Sequence, residues 1–95
     1  MKYKNIIFEQ DLKVNGDISG LQNKIICGDT LKTLKALPDN SIPLIVTSPS
    51  YFLGKEYELE QTFQDYLKDH REIISECHRV LAKNGSIYWN VAQSI

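Results

Sequence analysis

Cysteine, proline, long apolar runs and excess charge of either sign are all scarce in this sequence, and each scarcity removes a class of protein. Cys27 and Cys77 are the two cysteines among 95 residues. They form no C-x-x-C pair and have no histidine at ligand spacing, which argues against a zinc site and requires no disulfide. Both read as buried thiols. No apolar run approaches the ~18 residues of a membrane span. The start, Met1 to Gln10, alternates lysine with apolar residues and lacks the apolar stretch of a signal peptide. A soluble, cytoplasmic protein with no membrane partner is expected. Eleven basic and twelve acidic side chains give a net charge of -1, so the overall balance advertises no polyanion partner. Any nucleic acid would meet a basic surface lying mostly elsewhere. What is present, 42% hydrophobic and 24% charged residues, is an ordinary globular composition for one small domain. Such a domain buries only roughly 60–65% of its unfolded surface, so a missing strand or partner would be felt.

Residues 1–23 read as an amino-terminal arm. Asn15-Gly16 lies between Leu12-Lys13-Val14 and Asp17-Ile18, and both central residues accept the positive φ of a type I′ turn, which predicts a small hairpin. From Lys24 onward the pattern becomes that of a second unit, 24–95. Lys24 to Cys27 is a short strand expected to be buried, ending at Gly28-Asp29. Asp29 or Thr30 can cap a helix carrying Leu31, Leu34 and Leu37 and closed by Pro38. Ile42 to Thr47 is a second buried strand, with Pro43 near its start where a missing N–H is tolerated. Ser48 to Glu58 has no clean period and reads as a loop. A long helix follows, with Phe63, Leu67, His70, Ile74, Cys77 and Leu81 on one stripe, Thr62 and Asp65 as a variant capping box, and Asn84-Gly85 as a left-handed stop. A third strand, Ile87 to Val91, starts near Ser86. This alternation predicts a parallel α/β sheet.

In open parallel sheets ligands collect beyond the carboxyl ends of strands, which singles out Gly28-Asp29-Thr30 and Ser48-Pro49-Ser50-Tyr51. Asp29 can accept hydrogen bonds from a ligand, and it can equally be a helix cap. Ser48 offers a hydroxyl, Pro49 stiffens the backbone so that a carbonyl faces outward, and Tyr51 offers an aromatic face. Together these suit a planar group with an exocyclic amine, although Ser-Pro also begins ordinary turns. Other candidates carry less. His70 and His78 are eight apart on one helix and have no third ligand, so no metal is expected. Adjacent Cys77 and His78 point apart on a helix, and Cys27 lies inside an apolar strand. Phe63, Tyr88 and Trp89 read as core or sheet-face aromatics, and Lys55, Arg71 and Arg79 as solvated charge able to meet phosphate.

Three tracts occur in a telling order. Ile-Ile-Cys-Gly-Asp-x-Leu comes first, then Leu-Pro-Asp-Asn-Ser-Ile-x-Leu-Ile-Val-Thr-Ser-Pro-x-Tyr, then Arg-Val-Leu-Ala-Lys-Asn-Gly-Ser-Ile-Tyr-Trp-Asn-Val. From about Lys24 to Val91 the chain resembles the amino-terminal part of the S-adenosylmethionine-dependent DNA amino-methyltransferases, in the permuted subgroup whose catalytic loop precedes the cofactor's glycine-rich loop. The resemblance implies a three-layer, mostly parallel sheet of the Rossmann-like methyltransferase type, incomplete in this chain. It implies that Ser48 and the Pro49 carbonyl hold the exocyclic amine of a flipped base and that Tyr51 stacks on that base. It also implies that Asp29 binds the adenine end of S-adenosylmethionine, with Gly28 and Thr30 lining that pocket. Ser48 in place of Asp favours cytosine N4 over adenine N6.

Two departures accompany the resemblance. Ser50 stands where the family usually has a second proline, which adds an N–H and removes a φ restraint. The family's F-x-G-x-G loop, its target-recognition region and two sheet strands are missing from the sequence in hand. DNA is therefore expected as the partner of a complete enzyme. This chain is expected to be inactive alone and to assemble with copies of itself or with a complementing chain. A non-catalytic partner module of the same fold and an RNA or protein amino-methyltransferase are the alternatives.

Overall fold

The computed structural model describes residues 5–49 and 62–91. In chain order they form β1 (Ile6–Phe8), two short 3-10 turns, β2 (Ile25–Cys27), α1 (Thr30–Ala36), β3 (Ile42–Thr47), α2 (Phe63–Val80) and β4 (Leu81–Trp89). The α/β class and the parallel pairing are as expected, but the strands make two separate two-stranded sheets, β1-β2 and β3-β4. Helices α1 and α2 pack against each other.

Both helix starts follow from local chemistry. The Asp29 carboxylate accepts the Lys32 N–H at 3.0 Å, and the Thr62 hydroxyl accepts the Asp65 N–H at 3.0 Å, each satisfying a donor that has no partner within its helix. The end of α2 departs from expectation. Neither Asn84 nor Gly85 adopts a positive φ, and Leu81 is already extended and enters β4 well before Ser86. The reason lies on the Asp39-Asn40 turn. Its Asn40 N–H bonds the Arg79 carbonyl at 3.0 Å and the Ser41 N–H bonds the Val80 carbonyl at 2.7 Å, so two of the helix's free carbonyls are satisfied from outside.

Arg79 fixes the same corner with its side chain. Its guanidinium reaches Asp39 Oδ1 at 2.6 Å, the Leu34 carbonyl at 2.7 Å and Glu76 Oε1 at 3.1 Å. The carboxylates of Asp39 and Glu76 raise its already high pKa further. The expected solvated cation is instead a clamp between α1, the turn and α2.

The arm also differs. Gly16 has the positive φ of +84°, but Asn15 does not, and a type I′ turn requires both. Asp17 accepts the Ser19 N–H at 2.9 Å and its hydroxyl at 3.1 Å, which commits the chain to a 3-10 turn and not to a returning strand. Those bonds, the backbone one first, lower the Asp17 pKa. The predicted hairpin is therefore absent, and the arm contributes β1, which pairs with β2 through Ile6↔Ile25, Ile7↔Ile26 and Phe8↔Cys27.

Burial is one-sided. In β3 and β4, Ile45 and Thr47 are half-buried, with Trp89 opposite Thr47 meeting α2, whereas Leu44, Val46 and Tyr88 on the other face are 55%, 69% and 64% exposed. In β2, Ile25 and Cys27 are exposed. The expectation of buried strands thus fails for these residues: α2 meets one face of the β3-β4 sheet at Trp89, and no described element covers Leu44, Val46 and Tyr88 on the other. The α2 stripe is rotated slightly from the sequence reading. It passes through Ile73 and Val80, while Phe63 and Ile74 are exposed.

Pairing between β3 and β4 slips between Ile42, opposite Leu81, and Leu44, opposite Ser86. The irregularity falls beside Pro43, which has no N–H to lose. Gly85 sits in the slip, where an added Cβ would lie 2.9 Å from the Pro43 carbonyl oxygen and 3.0 Å from that of Ala82. Gly85→Ala should therefore cost about 1–3 kcal/mol by overpacking, read as a lower urea midpoint. An unchanged midpoint would show that the slip has slack. Arg79→Lys should cost about 1–3 kcal/mol, because one ammonium cannot span three acceptors. Molar salt should recover little of that difference, since only the exposed Asp39 contact is readily screened; full convergence of the two proteins in salt would contradict this account.

Candidate functional site

Because β3 and β4 are parallel and Thr47 lies opposite Trp89, Ser48 and Asn90 leave the sheet side by side at its carboxyl end. The Asn90 N–H bonds the Thr47 carbonyl at 2.9 Å, and the Asn90 side-chain amide donates to Ser48 Oγ at 3.0 Å. A recess of about 290 Å³ opens here, lined by Val46, Thr47, Ser48, Tyr88, Trp89 and Asn90. Its walls are aromatic and aliphatic and its rim is polar, the mix that holds a planar polar ring. Pro49 is half-buried, whereas Ser50, Tyr51 and Lys55 lie outside the described residues.

The second expected locus forms at the end of β2. A recess of about 270 Å³ is lined by Asp29, Thr30, Leu31, Asp69 and Ile73. Asp29 acts as the helix cap, and its membership of this lining leaves both readings of that residue standing. Gly28 does not line the recess; its hydrogen faces the Glu9 side chain, where an added Cβ would collide. Glu9 Oε1 accepts the Asp29 N–H at 2.7 Å, so the arm supports this turn directly. Glu9 and Asn90 both escaped the sequence reading. Nothing local marks Glu9, twenty residues away from its partner. Asn90 is legible only once the register with Ser48 is known.

Among the described residues no three histidine, cysteine or acidic side chains gather as a metal site. His78 is exposed, while His70 stands in an aromatic cluster, with Tyr66 at 4.0 Å between ring centroids and Trp89 edge-on at 6.0 Å. His70 Nδ1 lies 3.1 Å from the Tyr66 carbonyl, so that nitrogen carries the proton, and the buried Nε2 has no hydrogen-bond partner among the described residues. The two histidines therefore do not share a site. Cys77 is buried as expected, but Cys27 is exposed. Among the described residues no helix is long and apolar enough to cross a membrane.

Two recesses, one edged by acceptors and one by Ser48 and Asn90, lie beyond the carboxyl ends of parallel strands, where open α/β sheets collect their ligands. Comparison with known proteins gives the class. A family described as DNA methylase, comprising N6 and N4 methyltransferases, matches residues 42–94, more than half of the chain. The chain is 49% identical over 69 residues to the Type II methyltransferase M.BglII of Bacillus subtilis, covering 73% of this chain and 19% of that protein. It is 42% identical over 71 residues to the Type II methyltransferase M.HpaI of Haemophilus parainfluenzae, covering 72% and 23% respectively. With the DNA adenine methyltransferase YhdJ of Escherichia coli K12 it shares 44% identity over 70 residues, covering 67% and 23%. No solved structure matches. The chain belongs to the N6/N4 DNA methylase family, and it spans about a fifth of the length of these curated relatives.

The two thiols give a direct check on the packing. Burial, helped by the neighbouring Glu76 carboxylate, raises the Cys77 pKa. The folded chain thus holds that proton more tightly than the unfolded one. The resulting stability is complete below the ordinary value of 9.0 and is lost as pH climbs through the raised folded value. At about pH 8, iodoacetamide should label Cys27 readily and Cys77 only after denaturant is added. Equal labelling rates in the native protein would contradict the burial of α2.

Proposed function

We propose that the chain forms the catalytic-loop portion of an S-adenosylmethionine-dependent DNA methyltransferase that modifies the exocyclic amine of cytosine (N4) or adenine (N6). The observation that carries this reading is the emergence of Ser48-Pro49 beside Asn90 at a recess with a polar rim, in a chain of the N6/N4 family. Ser48 and the Pro49 carbonyl hold the amine-bearing edge of a base taken out of its stack, Tyr51 supplies the face on which the base rests, and Ser50 belongs to the same catalytic tract. The carboxylate of Asp29 and the apolar wall of Leu31 and Ile73 suit the amine, hydroxyls and ring of an adenosine group. Asp29 and Thr30 would hold that end of the cofactor, and Gly28 keeps the turn tight under Glu9.

When bound, S-adenosylmethionine supplies a methyl group activated by a sulfonium, so no covalent enzyme intermediate is called for. The work left to these residues is alignment: the amine nitrogen must face the methyl carbon in line, and oriented polar partners along the base edge favour that approach. The cofactor would supply the methyl group and leave as the neutral thioether, while Ser48 and the Pro49 carbonyl would hold the amine-bearing edge and the surplus amine proton would be released to water.

The second reading is a module of the same fold that works only in assembly, and the exposed Leu44, Val46 and Tyr88 favour it. In the complete protein a further layer and intervening strands would join the two sheets into one three-layer sheet of the Rossmann-like type. These elements would come from a second copy or from a complementing chain that carries the glycine-rich loop.

In an active assembly containing this chain, Ser48→Ala and Tyr51→Ala should each lower methyl transfer by about 1–3 kcal/mol, one oriented hydrogen bond or one base stack. Nucleoside analysis should find N4-methylcytosine or N6-methyladenine. Unimpaired turnover in both variants, or 5-methylcytosine as the product, would overturn the proposal.

A further inference from the structure

We propose that Asn90 is a positioning residue that makes the Ser48 hydroxyl a hydrogen-bond donor, so that the site reads an amine together with the bare ring nitrogen beside it. The proposal rests on the amine-methyltransferase reading above and refines what Ser48 does within it.

The argument is a count of donors and lone pairs. Asn90 is held in register by its own N–H on the Thr47 carbonyl, 2.9 Å away, so its side chain has a fixed origin. Its amide nitrogen then donates to Ser48 Oγ at 3.0 Å. A serine hydroxyl has one hydrogen and two lone pairs, and an amide NH2 accepts nothing. The Ser48 hydrogen therefore cannot point at Asn90. Among the described residues it meets no other acceptor, and Ser48 is exposed at the rim of the recess. That hydrogen is left for a ligand.

Next along the chain, Pro49 has no N–H and presents only a carbonyl. On the amine-methyltransferase reading, in which the Pro49 carbonyl accepts from the amine, the Ser48 donor at the rim stands next to that acceptor. The complement is an acceptor next to a donor on one planar edge. Cytosine carries that pair as N3 and the N4 amine, and adenine as N1 and the N6 amine. Guanine fails on its Watson–Crick edge, where N1 beside the amine bears a hydrogen, and its bare N3 on the other side of the amine is hemmed in by the sugar; thymine has no amine. A donor facing a donor leaves both unpaired, which is how a polar site rejects the wrong ring. Asn90 would thereby help to set which amines are accepted without touching the base.

The test uses the chain itself, with nucleosides as probes and the Asn90 side-chain amide as the reporter in NMR titrations. Cytidine or adenosine should shift that signal. Replacing the ring nitrogen by C–H, in 3-deazacytidine or 1-deazaadenosine, should weaken binding by about fivefold, the value of one neutral hydrogen bond. Guanosine should bind no better than the deaza analogues. Asn90→Asp keeps the shape but turns the donor into an acceptor that draws the Ser48 hydrogen back. In that variant, followed through backbone signals, the preference for the natural ring should vanish, as it should in Ser48→Ala. A fold defect alone would weaken all nucleosides equally and leave the preference intact, which would refute the role given to Asn90. Equal binding of cytidine and 3-deazacytidine by the wild type would also overturn this inference while sparing the amine-site reading. No shift with any nucleoside would overturn both.

Discussion

The corner where α2 ends holds the arrangement together. Within three consecutive residues the chain finishes a helix, gives up two backbone carbonyls to the Asp39-Asn40 turn and becomes a strand. The Arg79 guanidinium gathers the end of α1, the turn and the preceding turn of α2 around one planar group. Because Ser41 immediately precedes β3 and Leu81 opens β4, these bonds also start the β3-β4 ladder at its lower end. Everything at the carboxyl end, including the placing of Ser48 beside Asn90, is reached by counting along two strands launched from that point.

A parallel pair launched this way is incomplete by its own physics. Parallel strands are stable when both faces are covered, and here α2 meets one face at Trp89. The bare residues are not scattered: Leu44 and Val46 alternate along β3, and Tyr88 lies beside Val46 on β4. A surface of that kind asks for a layer of matching apolar residues and explains why so short a region of the family is poorly buried when taken alone. Among the described residues only Cys77 and Val80 are buried apolar side chains, Val80 completely, and both belong to the last turns of α2 beside the Arg79 corner.

Features carried by a few adjacent residues were legible in the sequence. Asp29 and Thr62 as caps, Pro38 as a stop and Ile42 to Thr47 as a strand all depend on chemistry within about one turn or one strand. Asp29 and Ser48 occupy the strand ends where they were sought, while most of the expected loop after Ser48 lies outside the described residues. Features set by distant partners were not legible. The Asn15-Gly16 signal was outweighed by Ser19 capturing Asp17 and by β1 pairing with β2. The Asn84-Gly85 signal was outweighed by the Asp39-Asn40 turn satisfying α2 earlier. Cys27 looked buried because apolar runs usually have two covered faces, and Arg79 looked solvated because its three acceptors lie on other parts of the chain. Glu9 and Asn90 act through tertiary contacts that no local pattern announces.

The slip beside Pro43 also divides β4 into two stretches with different tolerance for length. Between Leu81 and Ser86 the strand already carries surplus residues opposite a proline that needs no partner, so a residue gained or lost there changes the size of a bulge. From Ser86 to Asn90 each residue faces a fixed neighbour, and the last one is tied to Thr47 by its backbone and to Ser48 by its side chain. One residue more or fewer in that stretch would turn every side chain to the opposite face and carry Asn90 away from the hydroxyl it holds. A change of length can thus be absorbed only in the first stretch, and the second acts as a measuring rod for the site.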